Sequence, residues 1–205
     1  PGMTALPSVL TDWFDARGWQ IHPHQQAMLD RAEAPALLLI APTGGGKTLA
    51  GFLPTLADLA QGGHSGLHTL YVSPLKALAA DIKRNLTTPV QEMGLPIRID
   101  DRTGDTSSHR KRAQRADPPH ILLTTPESLS LLLSYPDAAE LLGSVKRVIV
   151  DEVHERSEES DFLLMVLRDL CRRKKTLHLV LMSATLNAEL FQKYFGASTP
   201  KIEIP

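Results

Sequence analysis

The sequence predicts an α/β fold, with a mostly parallel sheet that carries helices on both faces. Apolar, strand-like runs alternate with helical stretches along nearly the whole chain, and this alternation is typical of parallel sheets. The first apolar run leads into a glycine-rich turn, and a later one ends in two carboxylates. Polar groups therefore follow strands, which is where ligands bind in such sheets.

Runs rich in leucine, isoleucine and valine predict the strands, because a strand buried on both faces is apolar along its whole length. Helical stretches lie between these runs, and a further helix precedes them. The predicted strands are 36–41, 67–72, 97–99, 120–124, 145–151, 177–182 and, as a further candidate, 201–204. The predicted helices are 6–17, 24–33, 47–60, 75–93, 107–116, 126–134 and 161–172.

The glycine-rich turn after the first strand has the pattern of a phosphate-binding loop. Residues 41–48 read Ala-Pro-Thr-Gly-Gly-Gly-Lys-Thr and lead directly into a helical stretch. Glycines let backbone N–H groups converge on a phosphate, and the new helix adds its positive dipole end. The lysine would reach the β- and γ-phosphates, and the last threonine would ligate Mg²⁺. The alternative is a glycine-rich turn with a surface lysine. The residues expected to hold the nucleotide are Thr43, Gly44, Gly45, Gly46, Lys47 and Thr48.

The second half of such a site is predicted where the apolar run 148–150 ends in Asp151 and Glu152. Asp151 would then lie beside the phosphate loop and hold Mg²⁺ through its water shell. Glu152 is placed to orient and deprotonate an attacking water. A strand that ends in a solvated acidic turn is the alternative, and the phosphate-loop pattern weighs against it.

With these motifs the chain resembles the first RecA-like domain of a superfamily 2 helicase, a P-loop NTPase fold. The resemblance implies ATP and Mg²⁺ as cofactors and catalytic roles for Lys47, Asp151, Glu152 and His154. It also implies that Gln25, upstream of the phosphate loop, reads adenine, since a carboxamide donates and accepts at once. An ordinary surface glutamine is the alternative.

Three further stretches resemble the nucleic-acid contacts of this family, and each lies where a strand hands over to a loop or helix. Backbone amides, hydroxyls and a lysine at such places can bind phosphates without reading sequence. The alternative is helix capping, by Ser73 before Pro74 and by Thr125 before Pro126. The residues concerned are Ser73, Pro74 and Lys76, then Arg102, Thr103 and Gly104, then Thr125 and Pro126.

The tripeptide 183–185, Ser-Ala-Thr, follows a predicted strand. In the family it resembles, Ser183 and Thr185 would couple hydrolysis to strand binding, with His154 as the link to the γ-phosphate side. The alternative is a cap for a helix that begins near Asn187.

The resemblance changes along the chain. Residues 13–146 look most like the large-helicase-related (Lhr) group, which includes ligase-associated DNA helicases. Residues 151–205 look like DEAH-box RNA helicases, beginning with Asp-Glu-Val-His at 151–154. This change suggests a composite chain, joined between Val145 and Asp151, and it leaves the choice between DNA and RNA open.

The overall composition suits one domain. The 205 residues, 42% hydrophobic and 22% charged, can bury one substantial core. Pro1 and Gly2 before Met3 resemble a vector remnant, so residues 3–205 are interpreted as a single lobe. The only cysteine, Cys171, suits a reducing cytosol, and no apolar run reaches the length of a membrane span. A cytoplasmic protein is expected.

Three functions compete for this sequence. The first is the ATP-binding lobe of a helicase that binds single-stranded DNA or RNA through backbone phosphates and works with a second RecA-like lobe. No second set of motifs follows Thr185, so weak ATPase activity and no unwinding are expected of the lobe alone. The second is another phosphate-loop enzyme, such as a kinase or transporter ATPase. The third is a non-catalytic or engineered hybrid that at most binds nucleotide.

Overall fold

The computed structural model describes residues 2–42, 46–153, 157–184 and 188–205. These residues form one sheet of seven strands. The strands are β1 (Ala36–Ile40), β2 (Thr69–Val72), β3 (Ile99–Arg102), β4 (Ile121–Thr124), β5 (Arg147–Val150), β6 (His178–Ser183) and β7 (Lys201–Glu203). Their spatial order is β3-β4-β2-β5-β6-β1-β7, and every neighbouring pair is parallel. The predicted α/β class with a parallel sheet is confirmed.

Helices connect the strands, and none of those within the described ranges is long and apolar enough to cross a membrane. The helices are α1 (Ser8–Ala16), α2 (Pro23–Asp30), α3 (Lys47–Ala60), α4 (Lys76–Glu92), α5 (Ser108–Ala116), α6 (Pro126–Leu133), α7 (Ala138–Leu142), α8 (Glu158–Arg173) and α9 (Ala188–Phe195).

Alternation along the strands divides the core into two layers. In β1, Leu38 and Ile40 belong to one apolar cluster, which includes residues of α6, α8 and α9. Leu37 and Leu39 belong to the other, with residues of α2, α3 and α4. Because successive side chains of a strand point to opposite faces, an apolar run in every central strand requires helices on both sides.

Some predicted boundaries were wrong. The third strand lies at Ile99–Arg102 rather than at 97–99, because ion pairs of Asp100 and Asp101 with Lys83 allow two carboxylates in an edge strand. Helix α8 begins three residues before the predicted position, where the Ser157 hydroxyl accepts a hydrogen bond from the backbone N–H of Ser160. The short helix α7 was not predicted.

The strand order determines which loops meet at the carboxyl edge of the sheet. Strand β5 lies between β2 and β6, and β1 lies beside β6. The backbone N–H of Ala41, after β1, donates to the Ser183 carbonyl over 3.0 Å, and that of Asp151 donates to the Val72 carbonyl over 2.8 Å. The ends of β1, β5 and β6 thus form one half of this edge, and the ends of β2, β4 and β3 form the other.

A buried arginine ties helices to the opposite, amino edge. Arg147, the first residue of β5, is 1% exposed. Its guanidinium donates to the Ala32 carbonyl after α2 over 3.1 Å and lies 3.5 Å from the carboxylate of Asp58 in α3. One side chain therefore links two helical segments to the centre of the sheet.

Candidate functional site

The phosphate-loop motif ends where α3 begins at the carboxyl edge of the sheet. Gly46 has a φ of 74° and precedes Lys47, the first residue of α3. This left-handed conformation is one that glycine adopts without a steric cost. The positive end of the α3 dipole therefore lies at the carboxyl edge. The predicted residues Thr43, Gly44 and Gly45 lie outside the described residues.

The structure brings Lys47 against the two predicted carboxylates. Its Nζ lies 3.0 Å from Oδ1 of Asp151 and 2.5 Å from Oε1 of Glu152. All three side chains are at most 12% exposed. Two segments about a hundred residues apart in the sequence thus meet in one polar cluster, and Thr48 follows Lys47 in the same helical turn.

The carboxylates keep Lys47 charged. Burial by itself lowers the pKa of an amine, but the charge of Asp151 and the hydrogen bond to Glu152 outweigh it and raise the pKa of Lys47 above its ordinary value. A lysine that stays cationic through the neutral range is suited to hold a polyanion at this position.

Both carboxylate oxygens of Asp151 accept hydrogen bonds. It is 1% exposed, and Oδ1 accepts a hydrogen bond from the backbone N–H of Glu152 over 2.8 Å. Oδ2 accepts from the hydroxyl of Tyr71, in β2, over 2.5 Å. Burial and the nearby carboxylate raise the pKa of Tyr71, while a side-chain hydrogen bond with Ser73 acts in the opposite direction. Sequence analysis missed Tyr71, because it lies inside an apolar strand and carries no motif.

Glu152 has a strained backbone. Its φ is 54°, in the left-handed region, and it is the one non-glycine residue with positive φ among those the structure describes. For a residue with a Cβ this conformation costs about 1 kcal/mol or more. Such outliers cluster at functional sites. This one lies two residues after the end of β5, at the proposed base itself.

The donor set fits Mg²⁺ bound together with phosphates. Thr48 and Asp151, the two predicted ligands, offer hard oxygen atoms, and Mg²⁺ in nucleotide sites uses one or two protein groups with phosphate oxygens and water. Within the described ranges, no three histidine, cysteine, aspartate or glutamate side chains gather into a closed metal site.

Gln25 lies beside the phosphate-loop helix. It is 5% exposed, and its Oε1 accepts a hydrogen bond from the backbone N–H of His22 over 2.8 Å, which caps α2. A cleft of about 710 Å³ is lined by Gln25, Trp19 and Gly46, among others. Gln25 thus borders the glycine end of the phosphate loop, and adenine reading by its carboxamide stays a prediction.

The three predicted nucleic-acid segments follow β2, β3 and β4, which are neighbours in the sheet. They therefore lie side by side on the half of the carboxyl edge away from the phosphate loop. The ammonium of Lys76 lies 3.4 Å from the carboxylate of Asp105, which joins the first segment to the second. Lys76 and Gly104 are exposed, and Pro74 is partly exposed.

Other predicted contact residues are buried and engaged. Arg102 is 2% exposed, and its guanidinium donates to the Lys111 carbonyl and to Gln114. Thr103 is also buried, and its hydroxyl accepts from the Asp105 backbone N–H. A phosphate contact in this segment would fall to the exposed backbone rather than to the guanidinium.

Of the two residues for which helix capping was the alternative, Thr125 caps a helix and Ser73 does not. The Thr125 hydroxyl caps α6 by accepting from the Ser128 backbone N–H over 3.3 Å, with Pro126 as the first helical residue. Ser73, expected at a helix start, instead accepts from Leu75 N–H over 3.3 Å, and α4 begins only at Lys76. Because Leu75 is extended, the turn at Ser73 is separated from the helix.

Ser183 ends β6 and is 2% exposed. Its backbone pairs with Ala41, so it lies between the acidic motif on β5 and the phosphate loop after β1. This is where a coupling residue is needed, and its role stays a prediction. Thr185 and His154 lie outside the described residues.

Comparison with known proteins assigns the chain to a family. The sequence profile of the DEAD/DEAH box helicases matches residues 22–192. The ATP-dependent helicase Lhr-Core protein 2 of Thermococcus barophilus is 43% identical over 169 residues, or 75% of this chain and 20% of that protein. The putative ATP-dependent RNA helicase DHX57 of Homo sapiens is 55% identical over 75 residues, or 37% of this chain and 5% of that protein.

Solved structures agree with the fold. The structure of the Mycobacterium smegmatis helicase Lhr, bound to ssDNA and AMP-PNP, superposes with a TM-score of 0.82 at 37% identity and covers 97% of this chain and 27% of that one. The chain thus spans about a quarter or less of these relatives. The expected RecA-like superfamily 2 fold and the likeness to Lhr helicases are confirmed. The chain belongs to the DEAD/DEAH box helicase family.

Proposed function

We propose that this chain is the ATP-binding motor lobe of a superfamily 2 nucleic-acid helicase, and that it hydrolyses ATP–Mg²⁺ in response to single-strand binding. The contact of Lys47 with both Asp151 and Glu152 carries the proposal. A cation at a helix start, facing two carboxylates after a central strand, is the arrangement that phosphoryl transfer uses.

Lys47 contacts both carboxylates and would bind the β- and γ-phosphates of ATP. Thr48 and Asp151 would hold Mg²⁺, which when bound would supply positive charge against the developing phosphate charge. Release of Lys47 leaves Glu152 as the base that orients and deprotonates water. Thr43, Gly44, Gly45 and Gly46 would contribute contacts to the phosphates, and Gln25 would select adenine.

The response to nucleic acid uses the other half of the carboxyl edge. The Lys76 side chain and backbone groups of the segments at Ser73–Lys76, Arg102–Gly104 and Thr125–Pro126 bind successive phosphates without reading bases. Ser183, Thr185 and His154 pass the state of this surface to Glu152. Strand β2 links the two halves, since it lies between β4 and β5.

Single-stranded DNA is the nucleic acid that the comparisons favour. The M. smegmatis Lhr structure was solved with ssDNA, and Lhr relatives match most of this chain. RNA remains the alternative, because residues 151–205 resemble DEAH-box RNA helicases.

Two of the matches support a composite origin. The M. smegmatis Lhr protein is 51% identical over 60% of the chain, and DHX57 is 55% identical over 37%. We propose a join between Val145 and Asp151. Exchange of residues 151–205 for the Lhr counterpart should then leave ATP binding unchanged and alter only the preference between DNA and RNA. A loss of ATP binding in that exchange would contradict an interchangeable core.

Residues 3–205 act as one lobe in the cytoplasm, and a second RecA-like lobe completes the enzyme. That lobe would supply the arginines that raise phosphoryl-transfer rates by several orders of magnitude. The chain alone should therefore bind ATP–Mg²⁺ weakly, hydrolyse it slowly and fail to unwind a duplex.

The test compares Lys47→Ala and Glu152→Gln with Lys83→Ala, whose lysine also contacts two carboxylates but lies at the β3 edge. Thermal stabilisation by AMP-PNP–Mg²⁺ and ATP turnover with and without single-stranded DNA or RNA are measured. Loss of charge-assisted contacts in Lys47→Ala should weaken nucleotide binding about 10- to 100-fold. Glu152→Gln should keep binding and lower turnover about 100-fold or more.

The proposal fails if Lys47→Ala and Lys83→Ala bind nucleotide equally well. Binding without turnover at any nucleic-acid concentration, even with the second lobe supplied, would support a non-catalytic domain. Transfer of phosphate to a small-molecule acceptor would support a kinase.

A further inference from the structure

Tyr71 places a phenol at the centre of the sheet, directly against the proposed metal ligand. It lies on β2, which pairs with β5 in the register Tyr71↔Ile149, and its side chain is completely buried. Its hydroxyl donates to Oδ2 of Asp151 over 2.5 Å. This contact joins two neighbouring strands through their side chains at the carboxyl edge.

The two oxygens of Asp151 have different partners. Oδ1 faces Lys47 at 3.0 Å and the Glu152 backbone N–H at 2.8 Å. Oδ2 faces Tyr71. In the proposed function Lys47 turns to the phosphates; Oδ1 would then keep only the Glu152 backbone N–H, and Tyr71 would be the side chain that still holds the carboxylate by a hydrogen bond.

We propose that Tyr71 is a positioning residue that fixes the Asp151 carboxylate for the Mg²⁺ of the nucleotide complex. This inference rests on the proposed function. Hydrogen bonds to a ligating carboxylate orient it, and their loss typically lowers metal affinity about 10-fold or more. Tyr71 contacts Asp151 and acts on the metal through it.

A purely structural role for Tyr71 makes a different prediction. The ring also packs on Phe52 of α3, with centroids 5.6 Å apart, so any large aromatic residue could fill the space. If packing were its whole contribution, removal of the hydroxyl alone would leave the metal dependence of nucleotide binding unchanged.

The experiment measures how much Mg²⁺ strengthens nucleotide binding. The dissociation constant of AMP-PNP is determined by calorimetry with saturating Mg²⁺ and with EDTA, and their ratio is the metal-dependent gain. Tyr71→Phe keeps the ring and removes the hydroxyl. Thr69→Val is the matched control, because it removes another buried hydroxyl from the same strand. The Thr69 hydroxyl lies 2.9 Å from that of Thr55 and does not contact the site.

Tyr71→Phe should lower the gain about 10-fold without changing the affinity in EDTA, and Thr69→Val should keep the wild-type gain. An unchanged gain in Tyr71→Phe overturns the inference. So does an equal loss in Thr69→Val, or a loss that appears in EDTA as well. If the wild-type chain shows no metal-dependent gain at all, the proposed function fails together with the inference.

A second measurement needs no substitution at Tyr71. The chain has three tyrosines, so uniform labelling with 3-fluorotyrosine gives three ¹⁹F resonances, which Tyr135→Phe and Tyr194→Phe assign by elimination. Addition of Mg²⁺ to the AMP-PNP complex should shift the Tyr71 resonance and leave the Tyr194 resonance in place. A stationary Tyr71 resonance overturns the inference.

Discussion

At the scale of single residues, Glu152 combines strain with chemistry. Its left-handed φ of 54° lets its backbone N–H reach Asp151 while its carboxylate reaches Lys47. A relaxed backbone would turn one of these groups away. The strained backbone thus accompanies an arrangement in which the side chains of the proposed base and the proposed metal ligand both contact Lys47.

Two substitutions separate the strain from the carboxylate. Glu152→Ala and Glu152→Gly both remove the side chain from Lys47, but only alanine keeps a Cβ in the left-handed region. The glycine variant should be more stable by about 1 kcal/mol, the reverse of the usual order in regular structure. Urea unfolding of the two variants measures the difference, and an alanine variant equal to or more stable than glycine would show that φ relaxes without cost.

At this scale the sequence predicted those residues that carry a motif. Lys47, Asp151 and Glu152 were expected near one another, because the carboxyl ends of parallel strands share one edge, and the structure places them in contact. Tyr71 was not expected, since a tyrosine in an apolar strand has the same pattern whether its hydroxyl faces a ligand or a neighbour. The φ of Glu152 was not visible either, because glutamate carries no signal for that conformation.

At the scale of elements, β3 shows how an edge strand can carry charge. Asp100 accepts hydrogen bonds from Gln114 and Arg110 of α5, and Lys83 of α4 lies 3.3 Å away. Burial alone would raise the pKa of Asp100, but these hydrogen bonds and the Arg110 charge hold it below its ordinary value of 3.8. Apolar periodicity could not locate such a strand, and the prediction at 97–99 missed it for that reason.

This arrangement predicts a pH dependence. Because the pKa of Asp100 is lower in the folded chain than in the unfolded chain, its charge stabilises the fold above pH 3.8 and ceases to do so as pH falls through the folded value. The stability difference between wild type and Asp100→Asn should therefore shrink as acid is added below that pH. Urea midpoints from pH 6 down to about pH 3 measure it.

A matched control for this series is Asp12→Asn, at an exposed position of α1. It should change the free energy of unfolding by less than about 0.5 kcal/mol at each pH. A difference between wild type and Asp100→Asn that grows in acid would contradict the assignment.

At the scale of the whole molecule, the succession of strands and helices along the chain was predictable. The spatial order of the strands within the sheet was not. Apolar runs such as 36–40 specify burial on both faces, which implies a parallel sheet with two helical layers. Nothing in those runs says that β1 lies between β6 and β7, because that depends on crossover connections. The family resemblance implied a RecA-like fold, which the comparisons confirmed, and the strand order itself comes from the structure.

Substitution of Arg147 tests how much its contacts with Ala32 and Asp58 stabilise the packing of helices on the amino edge of the sheet. Lysine cannot reach both the Ala32 carbonyl and the Asp58 carboxylate, because it lacks the fork of a guanidinium. Arg147→Lys should therefore lower the free energy of unfolding by about 1–3 kcal/mol, while Arg173→Lys, at the exposed end of α8, should change it by less than about 0.5 kcal/mol. Equal urea midpoints for the two variants would show that the buried fork adds nothing.

Strand β2 carries Tyr71, which contacts Asp151, and Ser73 directly follows the strand at the start of the first proposed nucleic-acid segment. One four-residue strand therefore borders both the proposed ATP site and the proposed nucleic-acid surface. Substitutions that disrupt the backbone pairing of β2 would weaken nucleotide binding and nucleic-acid binding together. Variants that separate the two functions are therefore expected among side chains beyond the end of β2, such as Lys76.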